Sequence, residues 1–163
     1  MMCPQNSFFS PSGSVYMGEK AEILKIRMKD YLSNFNGKRV FFREQHAVND
    51  SFFVGDKTHS ISTTEDFQIE PSLKPYADLF FDKTRYSAFF GTNLDSFYSR
   101  EKIDSVTLIG IETHTSILFT AEELRNRGAS VTIVEPCTAS RDDYLHASAI
   151  SLMINYLGIR IGS

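Results

Sequence analysis

Glu44, His46 and His59 are the residues whose types and spacing by themselves suggest a chemistry. Positions 44 and 46 leave the same face of an extended segment, and a second imidazole arrives from the polar stretch that follows. One carboxylate and two imidazoles are a ligand set for a divalent ion such as zinc, manganese or iron. Histidines on polar loops are commonly no more than solvated side chains, so the grouping stands as a candidate. Three further places offer reactive groups: the segment after Cys3, Lys83, and the turn Gly110-Ile111-Glu112-Thr113-His114-Thr115-Ser116. His114 and His146 have no comparable company and read as helix-surface residues.

The elements that must position these groups are legible from periodicity. Residues 18–35 place Ala21, Leu24, Met28, Tyr31, Leu32 and Phe35 at helical spacing with charges between them, which predicts an amphipathic helix. Residues 38–44 predict a short strand. Residues 45–76 are polar and turn-rich over about 30 positions, longer than a mere connection, and loops of that size tend to carry function. A strand over 78–82 and a short helix over 93–102 follow. Residues 105–111 are a continuous apolar run of the kind buried on both faces of a sheet. A helix over 115–128 ends at Gly128, a strand covers 130–134, a final helix 141–157 and a terminal strand 159–161. This alternation predicts one domain over residues 1–163, a three-layer α/β/α sandwich around a mainly parallel sheet. Reactive groups in such sheets gather beyond the carboxyl ends of the strands, and all the places named above fall there.

Composition excludes several roles. Seventeen Lys+Arg against twenty Asp+Glu give a net charge of −3, with no basic block to hold a nucleic acid. The longest apolar runs fall far short of the roughly 20 residues a bilayer crossing needs, and no signal segment opens the chain, so membrane association is not expected and a cytoplasmic location is. Cys3 and Cys137 form neither a disulfide framework nor a CxxC site. The aromatic content is unusual: fourteen Phe, seven Tyr and no Trp, with five Phe doublets.

Four segments in order resemble the isochorismatase-like cysteine hydrolases, which include the nicotinamidases. They are Cys3-Pro4-Gln5-Asn6-Ser7-Phe8-Phe9, the run from Lys83 to Leu94, the turn from Gly110 to Ser116 leading on to Ala121, and Val134 to Ser140. The resemblance covers nearly the whole chain and implies an Asp-Lys-Cys site. In it a thiolate at a helix N-terminus attacks an amide carbon, beside a cis peptide that here would join Ile111 to Glu112. It also implies that Glu44, His46 and His59 are the metal positions, with glutamate in place of aspartate. Gln5, Phe8 and Phe89 then belong to the pocket, and Phe8-Phe9 and Phe89-Phe90 should wall it, while Phe41-Phe42 and Phe80-Phe81 fall on strands and in the core.

Carried over residue by residue, the lysine is kept as Lys83, the nucleophile is Ser116 and the aspartate is Cys3. Ser116 would have the oxyanion position but needs a base, for which a desolvated Lys83 is the inherited candidate. Cys3 reads either as an inert buried thiol or as a thiol activated by Lys83. Lys83 either reaches solvent or takes Glu112 as a new partner. The family's central first strand is almost absent here, since only Met1-Met2 precede Cys3. Its place calls for a rearranged sheet, another chain or an upstream segment. The leading expectation is a divergent member, impaired in cysteine-hydrolase chemistry and acting as a ligand-binding or homo-oligomer-forming domain. The alternative is an active hydrolase of amide-like small molecules using Ser116 with Lys83.

Overall fold

The computed structural model describes residues 1–53 and 57–162. Residues 54–56, inside the long connection expected over 45–76, lie outside the described residues. A short helix α1 (Asn6–Phe9) precedes the amphipathic α2 (Glu19–Asn34), which buries Ala21, Leu24, Met28 and Leu32 on one face. Then come β1 (Val40–Glu44), β2 (Leu79–Lys83), α3 (Leu94–Glu101), β3 (Ser105–Ile111), α4 (Leu118–Asn126), β4 (Ser130–Ala139), α5 (Asp143–Asn155) and β5 (Arg160–Gly162). The pairings among these strands are parallel, and both α2 and α4 pack against β4. The expected α/β sandwich with a parallel sheet is therefore present.

The sheet has two ladders, β2 beside β1 and β3-β4-β5, and the chain's first residues join them. Met2 bridges Phe42 on one side and Gly110 on the other. The Met2 amide donates to the Ile109 carbonyl at 2.8 Å and the Ile111 amide to the Met2 carbonyl at 3.1 Å. Toward β1, the Phe42 amide donates to the Met1 carbonyl and the Cys3 amide to the Phe42 carbonyl, and the Met1 amine reaches the Val40 carbonyl at 2.7 Å. Three residues thus take the place of a central strand. Ahead of Met1, between β1 and β3, the sheet leaves a cavity of about 480 Å³ lined by apolar side chains such as Leu32, Phe41, Phe97 and Leu124. Gly110 has no room for a side chain: a Cβ there would lie 2.2 Å from the Met2 carbonyl oxygen, and its φ is +123°.

Three local expectations are corrected. β4 does not stop at Val134 but runs to Ala139 through Pro136, because a register irregularity between Leu108 and Gly110 lets pairing resume at Thr138 and Ala139. The expected helix over 115–128 opens as a π-helical turn, Thr113–Ile117, before α4 begins. Phe80 is not core: β2 is the edge strand, and Phe80 is 40% exposed.

Candidate functional site

β1 and β2 end side by side with Glu44 opposite Lys83, and β3 ends at the turn that carries Ser116. All three side chains are buried. Lys83 Nζ donates to Glu44 Oε1 at 2.9 Å, to Ser116 Oγ at 2.9 Å and to the Arg85 carbonyl at 3.0 Å, which uses all three ammonium hydrogens. The Ser116 hydroxyl donates to Glu44 Oε1 at 3.1 Å, and Cys3 Sγ lies 3.5 Å from Ser116 Oγ. The cis peptide joins Ile111 to Glu112, at the position the resemblance implied. Lys83, Ser116 and Cys3 are thus brought together, with Glu44 as a fourth member.

Neither expected environment for Lys83 is found. It has no exposed surface, and Glu112 is taken by Arg141, whose backbone N–H, Nε and Nη2 each reach the carboxylate at 3.0 Å. Glu44, read from sequence only as a metal ligand, supplies the counter-charge. The clue was its place at the end of one predicted strand with Lys83 just past the end of the next; that becomes a contact only once those strands are known to pair in this register.

The charge states follow from this packing. Burial pulls the Lys83 ammonium down, but Cys3 once ionised and the Glu44 carboxylate outweigh it and leave its pKa above the ordinary lysine value. Burial pushes Glu44 up, yet Lys83 and His59 reverse that and hold it well below the usual carboxylate range. Burial pushes the Cys3 thiol up to about 12. The site therefore holds an ion pair, a neutral thiol and a neutral hydroxyl. A lysine base must be uncharged, and Lys83 is kept charged.

The opposite edge of Glu44 faces the histidines. Glu44 Oε2 lies 3.0 Å from His59 Nε2 and 4.0 Å from His46 Nε2, and the ligand atoms of all three residues lie within 4.8 Å of one another. His59 Nδ1 is 2.8 Å from the Lys57 carbonyl, which only accepts, so Nδ1 carries hydrogen. In the neutral ring Nε2 is then a bare lone pair facing a carboxylate, an arrangement that needs a proton or a cation between them. His46 Nε2 is buried with no hydrogen-bond partner among the described residues. Two ligands of one tetrahedral zinc, each about 2.1 Å away, stand about 3.4 Å apart, between the 3.0 and 4.0 Å that separate Glu44 Oε2 from the two imidazole nitrogens. The residues fit a divalent ion.

Neighbouring side chains shape both halves. Gln5 clamps the end of β1 by donating to the Glu44 carbonyl at 2.9 Å and accepting from the Glu44 amide at 2.6 Å. Phe8 is buried with its ring edge-on to His59, 5.2 Å between centroids. Phe89 lies elsewhere, against Tyr98 and under the Arg127 guanidinium, on the cavity between β1 and β3. His114 and His146 are half-buried rather than surface residues, bonded at 2.9 Å to Ser140 Oγ and Thr113 Oγ1.

Residues 4–162 match the model of the isochorismatase domain. The chain belongs to the isochorismatase family. The isochorismatase family protein PncA of Bacillus subtilis (strain 168) is 26% identical to it over 170 residues, covering 96% of this chain and 93% of that protein. Among solved structures, nicotinamidase PncA from Bacillus subtilis superposes with a TM-score of 0.87 at 26% identity, over 99% of this isochorismatase-family chain and 96% of the other. PnC1 from L. infantum in complex with nicotinate gives a TM-score of 0.89 at 21% identity, over 100% and 90% of the two chains, which speaks for the fold alone. No helix among the described residues is long and apolar enough to cross a membrane.

Proposed function

We propose that this isochorismatase-family chain binds a small molecule beside a divalent ion at Glu44, His46 and His59, and that it does not carry out the family's nucleophilic amide hydrolysis. One observation carries this reading: the Ser116 hydroxyl sits between a lysine held charged and a carboxylate held anionic far below the usual range, and neither is a base strong enough to ionise an alcohol. The Cys3 thiol is neutral and adds no base. What remains is recognition. Lys83 and Ser116 are bonded to Glu44 and to each other and hold its carboxylate in place, and a bound ion would supply Lewis acidity to a carbonyl or carboxylate beside it. The reading includes cytoplasmic residence; it also includes a homo-oligomer, which the exposed apolar side chains Tyr144, Leu152 and Tyr156 along and just beyond α5 support.

A second reading, hydrolysis of small amides with Ser116 as nucleophile, is favoured by the 3.1 Å bond that aims the Ser116 proton at Glu44. Nicotinamide separates the two, because the structural relatives include a nicotinamidase. The expected result is no turnover by the chain as it stands, and amidase activity in the double variant Cys3→Asp, Ser116→Cys. Turnover that disappears in Ser116→Ala overturns the binding reading.

A further inference from the structure

His46 Nδ1 lies 3.2 Å from Asp50 Oδ2, four residues on. The same carboxylate is held from two other sides: Arg85 Nη1 reaches Oδ2 at 3.1 Å, and the Phe52 amide donates to Oδ1 at 3.0 Å. Two aromatic contacts fix the plane of the His46 ring. Phe52 stacks on it at 5.2 Å with 11° between planes, and Phe53 meets it edge-on at 4.7 Å. The ring is fully buried, so its orientation is set by packing. What packing leaves open is which nitrogen bears the hydrogen, and a carboxylate facing Nδ1 decides that.

We propose that Asp50 is the positioning residue of this centre: it locks His46 in the Nδ1–H tautomer and so presents the bare Nε2 toward Glu44 and His59. The inference rests on the metal reading of that cluster for its consequence, but its geometry stands by itself. Carboxylate–histidine pairs of this kind raise the basicity of the ligand nitrogen and hold its direction, and losing one typically costs 10–100-fold in metal affinity. Arg85 ties the device to the neighbouring site, because its guanidinium holds Asp50 while its carbonyl takes a hydrogen from the Lys83 ammonium. The same guanidinium lies 5.2 Å over the Phe52 ring, so it braces the turn as well.

The test is made on metal-free protein labelled with ¹⁵N in its histidines, near pH 8. Long-range ¹H–¹⁵N spectra should show His46 as the Nδ1–H tautomer in the parent and in Asp50→Glu, and as Nε2–H or a mixture in Asp50→Ala. Asp50→Asn, which keeps the shape, covers the case in which Asp50→Ala fails to fold. Titration with zinc or cobalt(II) should then show affinity lower by 10–100-fold in Asp50→Ala and partly recovered in Asp50→Glu. An Nε2–H His46 in the parent, or an unchanged tautomer and affinity in Asp50→Ala, overturns the proposal. A parent that binds neither ion while showing the expected tautomers overturns the metal reading and upholds the positioning by Asp50.

Discussion

Glu44 Oε1 lies 2.9 Å from Lys83 Nζ, and this contact supplies the buried ammonium with its anion. It joins the ends of two adjacent parallel strands inside a fully buried cluster. Removing one partner of such a pair strands the other. Glu44→Gln should therefore destabilise the fold by about 3–5 kcal/mol in urea denaturation. Adding Cys3→Asp should recover part of that loss, since Cys3 faces the same ammonium; no recovery would show that position 3 is out of its electrostatic reach.

Gly110 faces the carbonyl of Met2 across the seam between the two ladders. Gly110→Ala puts a methyl group against backbone and should cost about 2–4 kcal/mol, read as a lowered denaturation midpoint with an unchanged slope.

The Met1 amine is buried and held down to about 5, from an ordinary value near 8. Burial is the cause, and Cys3 opposes it weakly; Lys38, Arg39, Glu101, Lys102 and Asp104 line the same cavity. The folded state binds this proton less readily than the unfolded chain, so stability must rise with pH between about 5 and 8. Three pKa units correspond to about 4 kcal/mol at most. Thermal melts from pH 5 to 8 should show the rise in protein that begins at Met1, and acetylating the amine should flatten it.

Both thiols are buried, and burial pushes Cys3 up to about 12 and Cys137 up to about 11. Neither should be alkylated by iodoacetamide at pH 8 within an hour, whereas both react in denaturant; mass spectrometry distinguishes the two. Rapid labelling of Cys3 would show that the site opens.

Periodicity located most elements within a residue or two. The apolar run 105–111 is β3 in full, and the heptad-like spacing of Ala21, Leu24, Met28 and Leu32 is the buried face of α2. Four-residue α1 was missed, because one turn is too short to show a period. Pro136 hid the second half of β4, since proline ordinarily ends a ladder and only a register irregularity admits it here. At the site, the spacing of Glu44, His46 and His59 was visible because it is a local pattern closed by one loop. The contacts of Glu44 with Lys83 and Ser116 were not, because they depend on the register of strands that begin 39 residues apart and on a turn further still along the chain. Glu112 was the nearer carboxylate to Ser116 in sequence and the wrong one in space, since Arg141 holds it.

The seam formed by residues 1–3 has a practical side. Met1 lines the cavity between β1 and β3, and its amine is held there by the Val40 carbonyl at 2.7 Å. A polyhistidine or other hydrophilic purification handle joined directly to this amine would start from a buried point, at the cost of desolvating the first of its amide groups. The other end of the chain follows β5, an edge strand whose Arg160 and Ile161 are exposed, so an affinity tag belongs after it.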